Sequence, residues 1–260
     1  MIKTSIISFS GGLDSTSLLL HLLSKENKVY CLSFNYGQKH QIEITKAKHN
    51  IEYFNSRGYD VKHKIINLKD CADILSSSLT NPHKTIPKGY YKEESMMSTV
   101  VPNRNAIFSS ILYGYALTVS KHINDNVSIS LGVHSGDHAI YPDCRKDFYD
   151  KIMESFKIGN WDSNKIDIYL PYLTYNKSDI LEDALKSIKK LNLNFDKVFK
   201  NTITSYNPDK DGLSEGKTGS DIERILAFDS LGLKDPLDYK DSWENVLEYA
   251  KKAEKDFKEQ

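Results

Sequence analysis

Two adjacent glycines between an apolar run and a leucine-rich segment constrain this chain more than any other feature. The stretch is Ser10-Gly11-Gly12-Leu13-Asp14-Ser15. Before it, Ile6-Ile7-Ser8-Phe9 reads as a short buried strand, and after it Thr16-Ser17-Leu18-Leu19-Leu20-His21-Leu22-Leu23 reads as a helix with an apolar face. A glycine pair at such a junction lets the backbone turn sharply, and the amides of the first helical turn have no intrahelical acceptor. Phosphate oxygens suit that position. The helix dipole adds positive potential, and the hydroxyls of Ser10, Ser15 and Thr16 add donors. The stretch lacks the Gly-Lys-Ser/Thr of a Walker loop and the third glycine of a dinucleotide fingerprint. The plain structural alternative is a tight turn in which Asp14 and Ser15 cap a helix.

The segments that follow predict an α/β fold. Residues 28–34 read as a second strand, 35–38 as a turn, 43–58 as a helix ending at a glycine cap, and 61–68 as a third strand. Strands alternating with helices through short loops give a parallel sheet with right-handed crossovers. Ligands of such sheets collect at the carboxyl ends of the strands, where Ser10–Ser15 and Asn35–Gln38 both fall. Residues 76–98 carry little period and read as a long loop of the kind that serves as a lid or binding segment. Val101-Pro102-Asn103-Arg104-Asn105 then opens a helix expected over 107–120. A fourth strand is expected at 127–133, a helix at 148–156, a strand at 166–170 and a helix at 178–190 with Ser178 as its cap. Two further helices are expected at 221–231 and 243–257. This pattern divides the chain into an α/β domain over residues 1–200 and a smaller, mostly helical segment over 201–260.

Composition narrows the function. The chain has 35 basic and 35 acidic residues, so no net field draws it to nucleic acid or to an anionic membrane. No apolar stretch is long enough to span a bilayer, and the chain enters a core strand at once instead of a signal peptide. Cys31, Cys71 and Cys144 are odd in number and scattered, which argues against a disulfide framework. A cytoplasmic protein is the expectation.

S-G-G-x-D-S at the end of a first strand resembles the pyrophosphate loop of the N-type ATP pyrophosphatases, a Rossmann-like α/β superfamily that splits ATP between its α and β phosphates. Four stretches together resemble one family within it, the 7-cyano-7-deazaguanine synthases. They are Ser10–Ser15, Phe34-Asn35-Tyr36-Gly37-Gln38-Lys39-His40, Val101-Pro102-Asn103-Arg104-Asn105, and Tyr141-Pro142-Asp143-Cys144-Arg145. They occur in the family's order, and the Lys177-Ser178 and Lys234-Asp235-Pro236 steps also fit.

The resemblance implies an ATP-dependent ligase that adenylates the carboxylate of 7-carboxy-7-deazaguanine and passes it to ammonia. A repurposed relative, of the kind recruited to antiviral defence, would instead conjugate the activated base to a protein amine, and a non-catalytic nucleotide-binding subunit is the further alternative. A homodimer is implied as well. ATP would contact Ser8, Phe9, Ser10, Gly11, Gly12, Leu13, Asp14, Ser15 and Thr16 at the first loop, and Phe34, Tyr36 and Gln38 at the second. Gln38 can give and take a hydrogen bond at an adenine edge. Arg104 is a cationic fork suited to phosphate or carboxylate, and Asn105 beside it joins the substrate pocket. Tyr141, Pro142, Asp143 and Arg145 belong to the turn assigned to the deazaguanine, with Asp143 able to accept from the N–H edge of the base. Lys177 would offset phosphate charge, and Asp14 would hold Mg²⁺ or its waters. Cys144 reads as a nucleophile or, more simply, a packed thiol; His134, Asp137 and His138 have the look of metal-ligand spacing in a polar loop.

One departure from the family stands out. Its four zinc-binding cysteines are absent: Glu215, Thr218 and Asp221 occupy three of the places and Ser205 the fourth, while Gly216 and Arg224 keep the register. Hydroxyls are poor zinc ligands compared with thiolates, so no zinc is expected. Hydrogen bonds among Ser205, Glu215, Thr218 and Asp221 are expected instead, with a hard cation on Glu215 and Asp221 as the alternative.

Overall fold

The computed structural model describes residues 3–38, 42–72, 74, 75, 77–80, 83, 89, 97–134, 136, 141–205, 209 and 212–259. Lys39, His40, Asp137 and His138, and most of the loop expected at 76–98, lie outside the described residues.

Five strands form one parallel sheet in the order β3-β2-β1-β4-β5. They are β1 (Thr4–Ser8), β2 (Lys28–Asn35), β3 (Lys62–Asn67), β4 (Val127–Ser130) and β5 (Ile166–Ile168). The chain steps outward from the centre to β3, then returns to β1's other side, so strand order reverses between β1 and β4. Side chains alternate across the sheet, and the core divides accordingly. Ile7, Val29 and Cys31 pack on one side with α1 (Leu13–Ser24), while Ile6, Leu32 and Phe34 pack on the other with α3 (Arg104–Ile123). In α1 every residue except Asp14 is buried. Burial on all sides places this helix in the core, polar residues included, between the sheet and α5 (Lys177–Lys190).

Among the described residues the other helices longer than one turn are α2 (Ile42–Ser56), α4 (Lys146–Gly159), α6 (Phe195–Lys200), α7 (Gly219–Ser230) and α8 (Trp243–Lys258), with a single turn of helix at Lys69–Ala72. The short α6, capped by Asn194, has no counterpart in the sequence reading. β4 stops at Ser130 instead of reaching residue 133, because its neighbour β1 ends at Ser8 and bends into the glycine loop. α3 starts at Arg104, three residues before the expected start, which puts Arg104 and Asn105 in its first turn. α5 is capped by Asn176 and not by Ser178: Asn176 accepts from the Asp179 amide at 2.9 Å, and Asp179 accepts from the Asn176 amide at 2.9 Å. Lys177 is therefore the first residue of that helix.

The segment after residue 200 is built onto the α/β part. The Ile203 amide donates to the Gly11 carbonyl at 3.1 Å, and α7 packs on α5. Arg224, fully buried, forks onto Asp235 at 2.6 and 2.9 Å and also donates to Thr202, Thr204 and the Phe199 carbonyl. A buried ion pair with every donor engaged is tolerated; one with a donor left over is costly. A small third core of Ile222, Ile225, Val246 and Ala250 joins α7 to α8.

Candidate functional site

A cavity of about 220 Å³ opens at the carboxyl ends of the strands. Its floor is the glycine loop. Gly11 has φ +85°, and a Cβ there would lie 2.6 Å from the Glu43 carbonyl, so no other residue fits without a shift of backbone. Ser10 and Ser15 brace the loop across its mouth, their hydroxyls 3.0 Å apart, with Ser10 Oγ accepting from the Gly12 amide at 3.2 Å and Ser15 Oγ accepting from the Ser10 amide at 3.2 Å. Gly12 caps α1 with extended backbone and no side-chain cap, so the first-turn amides face the cavity without an internal acceptor.

Ser8, Phe9, Ser10, Gly12, Leu13, Asp14 and Ser15 all line the cavity. Gly11 and Thr16 do not. Gly11 turns beneath the loop, and Thr16 lies fully buried on the inner side of α1, with its hydroxyl unpartnered. Gly132 closes over the loop from β4: a Cβ there would lie 3.1–3.2 Å from backbone atoms of Asp14 and Ser15. Any side chain there would press the loop backbone back by a few tenths of an ångström.

Lys177 enters from the start of α5. Its ammonium donates to both oxygens of Asp14, at 2.9 and 2.8 Å, and lies 3.0 Å from His134 Nε2 and 3.8 Å from a Glu223 oxygen. His134 is buried, and its Nδ1 accepts from the Gly136 amide at 3.1 Å. Burial pushes the Asp14 carboxyl up, but Lys177 first and His134 second outweigh burial, and the carboxyl lies below its ordinary range. The carboxylate is therefore charged at neutral pH. His134 was weighed in the sequence as part of a metal spacing; the structure joins it to Lys177 and Asp14.

The opposite wall is aromatic. Phe34 and Phe108 stack at 4.0 Å with planes 6° apart, and Tyr36 leans on Phe108 at 5.7 Å. Arg104 lies 5.9 Å from the centre of the Tyr36 ring and donates to its hydroxyl at 3.5 Å. Phe34, Tyr36, Gln38, Arg104 and Asn105 line the cavity. Gln38, however, is buried and braces its own turn, accepting from the Tyr36 amide at 3.0 Å and donating to the Phe34 carbonyl at 3.2 Å. Tyr141, Pro142, Asp143 and Arg145 are outside the lining, and only Cys144 of that turn reaches it. Asn105 connects the two motifs, donating to the Asp143 carbonyl at 3.4 Å and to Cys144 Sγ at 3.7 Å.

Glu43, at the start of α2, also lines the cavity and was missed in the sequence reading. Burial pushes its carboxyl up to about 7, with Arg104 restraining the rise. A glutamate in a helical first turn ordinarily reads as a dipole partner, and nothing local in the sequence singles this one out.

The model of the family described as "Queuosine biosynthesis protein QueC" matches residues 4–232. The chain belongs to the QueC family. It is 38% identical over 243 residues to a 7-cyano-7-deazaguanine synthase of Psychromonas ingrahamii, covering 93% of this chain and 100% of that protein. Proteins of the same name from Caldicellulosiruptor saccharolyticus and Methanoregula boonei are 36% and 37% identical. Each of those matches spans 90% of this chain, and 95% and 98% of the relative respectively.

Against the QueC zinc pattern, the structure holds a hydroxyl cage around one buried carboxylate. Asp221 accepts from Ser205 at 3.0 Å, Ser214 at 2.8 Å, the Thr218 hydroxyl at 2.6 Å and the Thr218 amide at 3.1 Å. Ser214 joins this cage: its hydroxyl lies 3.1 Å from that of Ser205 and accepts from the Gly216 amide. Ser220, next to this cage, and Ile203 and Thr204 border the cavity.

Proposed function

We propose that this QueC-family chain is an ATP-dependent ligase that activates the carboxylate of 7-carboxy-7-deazaguanine, or a close analogue, and joins it to a nitrogen nucleophile. The observation that carries the reading is one cavity in which the glycine loop and the cations Lys177 and Arg104 meet the Phe34–Phe108 wall. Phosphate needs amides and cations; a flat heterocycle needs aromatic surface.

In this reading the loop amides take phosphate oxygens, and Lys177 and Arg104 offset charge as it moves onto the leaving pyrophosphate. Ser8, Phe9, Phe34, Tyr36 and Gln38 border the adenosine, with Gln38 acting through the turn that it braces. Asp14 offers hard carboxylate oxygens with lone pairs beyond those that Lys177 engages, so its donor chemistry fits Mg²⁺. When bound, Mg²⁺ supplies charge neutralisation on the phosphates. A carboxylate oxygen of the substrate attacks the α-phosphorus, forming a C–O–P link as pyrophosphate leaves. Ammonia attacks the carbonyl carbon, and AMP departs with the bonding electron pair to leave an amide. A second ATP activates the amide oxygen, and loss of AMP and of the nitrogen-bound protons gives the nitrile. Arg104 and Asn105 would contact the substrate directly; Tyr141, Pro142, Asp143 and Arg145 would support it through Asn105 and Cys144.

The hydroxyl cage favours a second acceptor. A C-terminal segment that borders the cavity has lost the family's zinc thiolates, and an altered rim is what a conjugating relative would need to admit a protein amine. The homodimer that the resemblance implies belongs to either version. Mixing protein, Mg-ATP and 7-carboxy-7-deazaguanine, with and without ammonium, and following pyrophosphate and product mass separates them. Nitrile formation establishes the biosynthetic ligase. Pyrophosphate release with mass added to a protein points to conjugation. No ATP turnover in any mixture sinks the proposal.

A further inference from the structure

Among the cavity's described lining residues two are acidic, Asp14 and Glu43, and their circumstances are opposite. Asp14 has Lys177 on both oxygens. The Glu43 carboxylate makes no hydrogen bond or ion pair with a described residue; it feels the charge of Arg104 without pairing with it. Its backbone is locked in place, because the Glu43 carbonyl is packed under Gly11. Tyr36, whose hydroxyl is pushed up first by burial, with Glu43 adding to the rise, lies close enough to sense it. Glu43 is half-buried, and a carboxylate partly withdrawn from water without donors of its own is a costly group. Such a group is retained where a ligand supplies the donors.

We propose that Glu43 binds the N–H edge of the substrate heterocycle, accepting from the ring N–H and from the exocyclic amine. A 2-aminopyrimidinone presents those two donors side by side, and one carboxylate accepts both as a bidentate pair. Asp143, the carboxylate that the Tyr141–Arg145 turn offers for this task, is outside the lining, so Glu43 is the acidic group that shares the aromatic wall of Phe34 and Phe108. A carboxyl pushed up to about 7 by burial gains most when N–H donors arrive, since they restore the charged form. The inference rests on the deazaguanine reading given above.

The test is calorimetric binding of three probes to wild type, Glu43→Gln and Glu43→Asp. The probes are 7-carboxy-7-deazaguanine, its analogue lacking the 2-amino group, and α,β-methylene-ATP. Glu43→Gln should weaken the first probe by about 100-fold, in the range seen when a charged hydrogen-bond acceptor is removed, and leave the ATP analogue within about two-fold. Loss of the 2-amino group should weaken binding to wild type by about ten-fold and to Glu43→Gln hardly at all. Glu43→Asp, which keeps the charge, should recover part of the affinity, and matching thermal melts for all three proteins exclude misfolding. Equal affinity of Glu43→Gln and wild type for the deazaguanine acid overturns the inference while leaving the ligase reading intact. So does an equal loss for the ATP analogue, which would place Glu43 with the nucleotide. No affinity of wild type for the acid overturns both.

Discussion

Glu43 and Gly11 meet at one backbone contact and do different work. Gly11 is there for space, since a Cβ would be 2.6 Å from the Glu43 carbonyl at φ +85°. Gly11→Ala is expected to cost about 2 kcal/mol or more through strain at that position and to abolish nucleotide binding; urea melts and titration with α,β-methylene-ATP would check both. Glu43 is there for charge. Its carboxyl, pushed up to about 7 and faced by Arg104 and Tyr36, accepts two N–H donors side by side only when ionised. Affinity for 7-carboxy-7-deazaguanine should therefore rise with pH through about 7, and the rise should be missing in Glu43→Gln. Lys177 is the third case. Lys177→Met removes the cation that Asp14 holds beside the glycine loop, and kcat/KM should fall by about 10²- to 10³-fold, the scale of losing one preorganised donor. A residual rate within ten-fold of wild type would remove Lys177 from the machinery.

At the scale of elements, one carboxylate at the start of α7 gathers hydrogen bonds from three hydroxyls and an amide. Asp221 closes a capping box with Thr218 and also receives Ser205 and Ser214. Burial still pushes its carboxyl up, although these donors hold it down in part. The sign follows: for an acid raised on folding, the contribution to stability is present below the ordinary carboxylate range and is lost as pH rises through the raised value. Asp221→Asn should flatten that part of the stability profile. Asp221→Ala leaves three hydroxyls and an amide without their acceptor and should cost about 2–4 kcal/mol in urea melts. Hydroxyls are poor zinc ligands, and these already serve Asp221, so excess EDTA should leave the urea midpoint in place. A fall in the midpoint would reveal a structural metal.

For the whole molecule, the segment after residue 200 closes the site from the α/β sheet's open end. The Ile203 amide holds the Gly11 carbonyl, Thr204 and Ser220 border the cavity, and the Arg224–Asp235 pair is tied back to the Phe199 carbonyl. A chain ending at residue 200 leaves that buried loop carbonyl unpaired and uncovers Val198 and Phe199. It should unfold at lower urea with a broadened transition and fail to bind α,β-methylene-ATP; native-like binding would make the first 200 residues self-sufficient. The parallel α/β architecture and the glycine loop were legible in the sequence because they depend on local rules. Hydrophobic period, glycine freedom and unpaired helical amides act within a few residues of one another. The cap of α5 was misread by two residues, since Asn176 and Ser178 compete with equal local chemistry and the Asp179 reciprocal bond decides. His134, Glu43 and Ser214 were settled only by tertiary structure. Lys177 is 43 residues from His134, and Asp14 is 163 from Lys177. Whether Asp143 or Glu43 meets the cavity depends on how α2, α3 and the 142–144 turn pack. Chemistry that acts along the chain is written in the sequence; chemistry that depends on burial and on distant partners exists only once the chain has folded.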